Sequence, residues 1–320
     1  MKWEVVVLDP IHASGIEIMQ KAGLKVVKAL DNSSTNIKEL VKNADVLVVR
    51  SRTKVTRDLI NAATQLKLIA RCGVGLDNVD IKAAEERGIR VINSPESSAV
   101  SVAELTIGLI LSLLRMIPLA DRSMKEGKWL KRELEGSQLY GKTLGLIGFG
   151  RIGQAVAERA LAFGAKVIAY DIDEDKIAVA KRMGVTFLSG SNSLETLLRS
   201  SDIVSLHIPL TEETRMIIGS RELALMKPGS YLINTSRGGL VDEQALYQAL
   251  TSGKLAGAAL DVFKEEPPKN KELISLPNVI CTPHIGASTF ECQMANAVEI
   301  AKKIIDYFKE IESNQPLISS

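Results

Sequence analysis

At 320 residues the chain exceeds the usual size of one hydrophobic core, so two domains are expected. Hydrophobic residues at 46% and charged residues at 24% describe an ordinary globular protein. A net charge of +2 and a pI near 8.3, without clustered Lys or Arg, give no sign of a nucleic-acid partner.

The N-terminal "MKWEVVVLDP" runs straight into a strand pattern, and its apolar run is too short for a signal peptide. Strand-like runs follow at 5–9, 46–50, 66–70 and 90–93, then at 143–148, 166–171, 202–207, 230–235, 255–262 and 278–283. Most intervals between them carry helix-length apolar periodicity. Strands apolar on both faces and alternating with helices predict doubly wound parallel α/β sheets, two of them given the strand count. "SPESSAVSVAE" (94–104), with Pro95 and its serines, marks the domain boundary. The apolar stretch that follows, 104–120, is interrupted by Arg115 and Pro118 and falls short of a membrane span, so it reads as a buried helix. A C-terminal helix over about 289–311 places Ala297, Ile300, Ala301, Ile304, Ile305 and Phe308 on one face. The tail "SNQPLISS" is expected to be disordered or loosely docked. Cys72, Cys281 and Cys292 form no CxxC pair and no metal-ligand spacing, which suits a reducing cytoplasm and no metal, although Cys281 and Cys292 are free to meet in space.

"GLIGFGRIG" holds Gly148-x-Gly150-x-x-Gly153 between a strand and an amphipathic helix, the context such a motif needs to be informative. Gly148 permits the tight turn, Gly150 lets backbone approach a pyrophosphate, and Gly153 brings helix and strand together at a helix N-terminus rich in free N–H groups. Asp171 ends the next strand, 18 residues on (171 − 153). A carboxylate there accepts from a ribose 2′-hydroxyl and repels a 2′-phosphate, favouring NAD over NADP.

Ligands in doubly wound sheets sit beyond the carboxyl ends of strands. Arg237, Glu266 and His284 fall just past three such ends. Hydride exchange between an alcohol and NAD needs a base for the hydroxyl proton, a cation for the substrate carboxylate, and a partner for the protonated base. Histidine titrates nearest neutrality, the arginine fork matches a carboxylate, and a glutamate fixes the imidazole tautomer. Singly, each has an ordinary structural reading: a helix cap for Arg237, a solvated charge run for Glu266, a bonded backbone carbonyl for His284. His207, at another strand end, is expected to shape the cofactor pocket rather than to act as a base.

In order along the chain, "RSRTKVT" (50–56), "RCGVGLDNVD" (71–80), "SVAELTIGLIL" (101–111), "GKTLGLIGFGRIG" (141–153), "LHIPLTEETRMIIG" (206–219), "NTSRGGLVDEQAL" (234–246), "ALDVFKEEPP" (259–268) and "TPHIGAST" (282–289) cover nearly the whole length. This set resembles the D-isomer-specific 2-hydroxyacid dehydrogenases, above all their phosphoglycerate-oxidising members. The resemblance implies a Rossmann NAD-binding domain, 99–289, inserted in a flavodoxin-like substrate domain, 1–98 plus 290–320. It implies His284 as acid/base, Glu266 as its partner and Arg237 as the substrate clamp. Cofactor contacts are implied for Arg151, Ile152, Asp171, Thr235, Ser236, Asp261 and Gly286. The loop with Gly73, Val74 and Gly75 is expected to offer N–H groups to the substrate carboxylate. Arg50, with Arg52 or Lys54 nearby, is expected to meet the phosphate of a phosphorylated 2-hydroxy acid. A homodimer through the NAD-binding domain is also implied, with no membrane partner. The regulatory domain of longer members is not seen, so feedback and tetramer formation through one are in doubt. Glyoxylate or hydroxypyruvate reduction is the nearer alternative, and an NAD-sensing corepressor the remote one; the intact Arg–Glu–His set argues against the latter.

Overall fold

The computed structural model describes residues 3–29 and 37–313. In the N-terminal part, the β-branched runs become β1 (Glu4–Val7), β2 (Lys25–Lys28), β3 (Val46–Val49), β4 (Leu68–Arg71) and β5 (Arg90–Asn93), a parallel sheet of order β2-β1-β3-β4-β5. That is the flavodoxin-like order. The middle of the chain gives β6 (Thr143–Ile147), β7 (Lys166–Tyr170), β8 (Thr186–Leu188), β9 (Ile203–Leu206), β10 (Ser230–Asn234), β11 (Leu255–Leu260) and β12 (Val279–Cys281). These pair, all parallel, as β12-β11-β10-β9-β6-β7-β8. The chain reverses its winding between β6 and β9, the switch point where doubly wound sheets take ligands.

Alternation of side chains along each strand divides the core in two. In the larger sheet Leu146, Ile203, Ile233 and Ala259 face one layer of helices, and Ile147, Val204, Leu232 and Ala258 face the other. In the smaller sheet Val6, Leu47 and Ile69 oppose Val5, Val46 and Leu68. Each fully buried Val, Leu or Ile among them contributes roughly 1.5–3 kcal/mol relative to exposure.

The chain divides into two compact units, Met1–Ser98 with Ala287–Ser320, and Ala99–Gly286. In the first, the helix Phe290–Ser313 lays Ala297, Ile300, Ala301, Ile304 and Phe308 against β1, β3 and β4. It crosses the helix Ala13–Lys21 so closely that a Cβ on Gly15 would sit 2.6 Å from the Ala297 carbonyl oxygen. In the second, the apolar stretch forms the helix Ala99–Leu114, then bends by 64° into Ile117–Lys125. Among the described residues no single helix is long and apolar enough to cross a membrane.

Two strands escape the sequence pattern, β2 and β8. Both are short edge strands with half-exposed side chains, so neither shows a continuous apolar run. The pattern also overruns several strand ends. Asp9, Arg50, Asp171, His207, Thr235 and Asp261 lie just beyond the last paired residue, where their side chains serve loops instead of the ladder. The three cysteines are free thiols. The tail 314–320 lies outside the described residues.

Candidate active site

The glycine turn at the end of β6 is shaped by contacts that tolerate no side chain. Gly148 has φ 98°, and a Cβ there would lie 2.4 Å from the His207 carbonyl oxygen at the end of β9. A Cβ on Gly153 would lie 2.3 Å from the Gly148 oxygen, so the helix Arg151–Ala162 packs directly on the turn. Gly150 differs: a Cβ there would meet nothing within 4 Å. It caps the helix without a side chain, which leaves first-turn N–H groups such as those of Ile152 and Gly153 with no side-chain cap. Open room above a bare helix N-terminus is what a dinucleotide pyrophosphate requires, and the residues present fit that group.

Asp171 closes the turn from β7. Its Oδ2 accepts from Phe149 N at 2.6 Å and its Oδ1 from Asp173 N at 3.0 Å. Each oxygen keeps a second lone pair for a ribose hydroxyl. Across the switch point, His207 Nε2 lies 2.9 Å from Ser205 Oγ, and burial pushes its imidazole down to about 3, so it is neutral at physiological pH. That excludes it as a neutral-pH acid.

After β10 the chain turns sharply through Thr235, Ser236 and Arg237. Buried Asn234 makes the turn: its Oδ1 accepts from Ser236 N at 3.1 Å and its Nδ2 donates to Arg237 O at 2.8 Å. Thr235 Oγ1 sits 3.0 Å from Thr106 Oγ1, and Ser236 Oγ donates to Ile208 O at 2.6 Å. Arg237 Nη1 donates to Ser236 O at 2.7 Å. Next comes Gly238, pressed on the chain after β11. A Cβ on Gly238 would lie 1.9 Å from the Phe263 carbonyl carbon. This contact sets the Arg237 turn against the segment that carries Glu266.

Glu266 and His284 meet directly, Oε2 to Nδ1, at 2.8 Å. Glu266 Oε1 accepts from Phe263 N at 3.2 Å. Burial works to raise the Glu266 carboxyl. The hydrogen bond and charge of His284, the Phe263 N–H and the charge of Arg237 outweigh it and hold the group below its ordinary range. Arg237 is thus within electrostatic reach of the pair. With Glu266 ionised, the imidazole donates from Nδ1, and Nε2 carries the lone pair.

The loop carrying His284 is built on Asp261, which is fully buried. Its Oδ1 accepts from Thr282 Oγ1 at 2.6 Å and Ile285 N at 2.8 Å, and its Oδ2 from Gly286 N at 2.8 Å. His284 N donates to Asp261 O at 2.8 Å. These bonds offset a left-handed backbone at His284, φ 52°, a conformation that costs a non-glycine residue about 1–3 kcal/mol. Asp261, expected as a cofactor contact, has both oxygens engaged by its own chain.

The expected substrate residues belong to the first unit. Gly73 does not offer its N–H outward; it donates to Ser94 Oγ at 2.7 Å, and Ser94 Oγ donates to Asn296 Oδ1 at 2.8 Å. This corrects the expectation for Gly73, whereas the N–H groups of Val74 and Gly75 have no protein acceptor among the described residues. Arg52 bonds Asp9 Oδ1 at 3.2 Å and Leu8 O at 3.1 Å. The half-buried Arg50 makes, among the described residues, one guanidinium bond, to Pro10 O at 3.2 Å.

Residues 107–286, which hold the glycine turn, Arg237, Glu266 and His284, match the model of the D-isomer specific 2-hydroxyacid dehydrogenase NAD binding domain. The chain belongs to that family. A D-3-phosphoglycerate dehydrogenase of Methanocaldococcus jannaschii is 50% identical over 301 residues, 94% of this chain and 56% of that one. The chain thus spans little more than half the length of that relative. A hydroxypyruvate reductase of Thermotoga maritima is 48% identical over 313 residues, covering 97% of this chain and 99% of that one. Among solved structures, D-lactate dehydrogenase from Aquifex aeolicus, complexed with NAD and lactic acid, superposes with a TM-score of 0.80 at 33% identity, over 99% of this chain and all of that one. Its two parallel sheets make this family member an α/β protein with an NAD-binding domain. Sequence reasoning missed Asn234, Gly238, Asp9 and Asn78, which hold the site residues in place. The available signal was position, since each directly ends a strand or lies in a strand-end loop.

Proposed function

We propose that the protein oxidises D-3-phosphoglycerate to 3-phosphohydroxypyruvate with NAD, the entry reaction of serine synthesis, and that His284, Glu266 and Arg237 carry it. The observation that supports the chemistry most is the 2.8 Å His284–Glu266 pair with Arg237 in electrostatic reach. Bound NAD supplies the acceptor for the hydrogen at substrate C2. His284 takes the C2 hydroxyl proton at Nε2, because Nδ1 is committed to Glu266. The carboxylate of Glu266 stabilises the imidazolium so formed, and in the reverse direction the same Nε2 returns the proton to the keto oxygen. Arg237 holds the substrate carboxylate through its planar guanidinium fork. Gly148, Gly150, Ile152 and Gly153 receive the pyrophosphate, together with Arg151, and Asp171 the ribose. His207, Thr235, Ser236, Asp261 and Gly286 line the cofactor side, Asp261 chiefly by fixing the loop that carries Gly286.

Residues 99–286 act as the NAD-binding domain, and the discontinuous first unit as the substrate-binding domain, with Arg50 on the phosphate and the Val74 and Gly75 N–H groups on the carboxylate. The chain works as a homodimer through the NAD-binding domain. Support for this comes from apolar side chains exposed there, among them Met124, Trp129 and Tyr140 at 56%, 72% and 74%.

A second reading keeps the mechanism and makes hydroxypyruvate or glyoxylate the substrate. The full-length match to the Thermotoga hydroxypyruvate reductase favours it. Rates of NADH oxidation with 3-phosphohydroxypyruvate, hydroxypyruvate and glyoxylate, then with NADPH, separate the two. The phosphorylated keto acid with NADH is expected to give the highest kcat/KM. A higher value for either unphosphorylated acid replaces the first reading with the second.

A further inference from the structure

We propose that Asp9 and Asn78 are positioning residues for substrate specificity: they hold the backbone of Arg50 at both ends so that its guanidinium meets the substrate phosphate. The inference rests on Arg50 being the phosphate contact. Three cations lie in "RSRTK", yet the loop treats them differently. Arg52 is turned back on the protein by its bonds to Asp9 and Leu8. Arg50 makes one guanidinium bond, to Pro10 O, and is pinned by its main chain. Its N–H donates to Asp9 Oδ2 at 2.6 Å, and its carbonyl accepts from Asn78 Nδ2 at 2.7 Å.

The two clamps come from separate segments. Asp9 follows β1 and is 1% exposed. It also accepts from Thr53 N at 3.2 Å and from Thr53 Oγ1 at 2.6 Å, so one carboxylate gathers the whole turn from Arg50 to Thr53. Asn78 follows β4, in the same loop as Gly73, Val74 and Gly75. Its amide nitrogen donates to Thr53 O at 2.6 Å as well as to Arg50 O, and its own carbonyl accepts from Val55 N at 2.7 Å. Both amide hydrogens of Asn78 are therefore used, which only a carboxamide at this reach supplies. The result ties the loop expected to meet the phosphate to the loop expected to meet the carboxylate. The Asn78 side chain joins the backbone bonds between Val55, Asn78 and Asp80 in setting their separation, and separation of two anionic groups is what distinguishes a phosphorylated three-carbon acid from glyoxylate. A cation held at its backbone loses less freedom when the phosphate arrives than one on a mobile turn.

The test is the ratio of kcat/KM for 3-phosphohydroxypyruvate to that for hydroxypyruvate, in wild type, Asn78→Ala, Arg50→Ala and the double variant. Asn78→Ala is expected to lower the ratio about tenfold, leaving hydroxypyruvate turnover and the KM for NADH within about twofold. In the Arg50→Ala background the same change is expected to leave the ratio within about twofold, since the asparagine acts through that arginine. Asn78→Ser, the milder change, carries the same expectation should alanine impair folding. A wild-type preference that Asn78→Ala and Asn78→Ser both retain, or an equal loss with both substrates, overturns this inference alone. A wild type without preference for the phosphorylated acid overturns it together with the substrate reading.

Discussion

Gly238→Ala tests how tightly the site is assembled. The added Cβ would lie 1.9 Å from the Phe263 carbonyl carbon, 2.1 Å from its oxygen and 2.4 Å from Lys264 N. All three are backbone atoms, so no rotamer change relieves the clash. Ordinary contact begins near 3.4 Å, and the two segments must separate by about 1.5 Å (3.4 − 1.9). Arg237 is the residue before Gly238, and Glu266 lies three residues after Phe263, which donates to it. Displacing one against the other by such a distance is expected to cost about 10²-fold in kcat. The overpacking itself is expected to cost about 1–3 kcal/mol of stability. Steady-state kinetics with the preferred keto acid and NADH, beside a urea melt, read both quantities. The glycine turn at β6 lies two strands from β10 and does not touch this contact, so the Kd for NADH should change by less than kcat. A kcat within twofold of wild type would refute the reasoning, because it would mean the site does not depend on the Arg237–Glu266 spacing.

Two further variants probe the supports around the site. Asp261→Asn places an amide among three donors, of which that of Gly286 is buried, leaving at least one unsatisfied; about 1–3 kcal/mol of stability should be lost, with reduced kcat, and an unchanged urea midpoint would show that Asp261 does not template the His284 loop. His207 stays neutral in the fold down to about 3, while in the unfolded chain it titrates near 6.5. The unfolded state therefore binds more protons between those values, and stability that is complete above 6.5 drains away as pH falls towards 3. By pH 5 the loss is at most about 2 kcal/mol, an upper bound because the residue is not fully sealed from solvent. His207→Gln should flatten this fall between pH 7 and pH 5 in urea melts, and an unchanged slope would contradict the buried neutral imidazole.

Much of the fold is legible in the sequence, for a physical reason. Strands such as Val46–Val49 are buried on both faces and spell continuous apolar runs, and Ile203–Leu206 departs from that only at Ser205. Lys25–Lys28 and Thr186–Leu188 are half-exposed edge strands, and their composition gives little contrast with loops. The candidate chemical side chains were legible because histidine is scarce, three in 320 residues, and His284 follows a strand end as Arg237 and Glu266 do. Their supports were not. Asp9 reads as the last residue of a strand, Asn78 as one polar residue in a loop, and Gly238 as one of two adjacent glycines. Their roles depend on which segments the sheets bring together, and that is a property of strand order. The same limit holds for Gly73, whose N–H is taken by Ser94, 21 residues away, a contact that only the fold brings about.

The pairing of His284 with Glu266 is the centre of the proposed chemistry, and His284→Ala addresses it most directly. Turnover of the preferred keto acid with NADH is to be measured beside NADH binding to the same variant. The expected result is a fall in kcat of about 10²–10⁴-fold, the contribution of a positioned acid/base, with NADH binding retained. Near-normal turnover would contradict it and remove His284 from the mechanism.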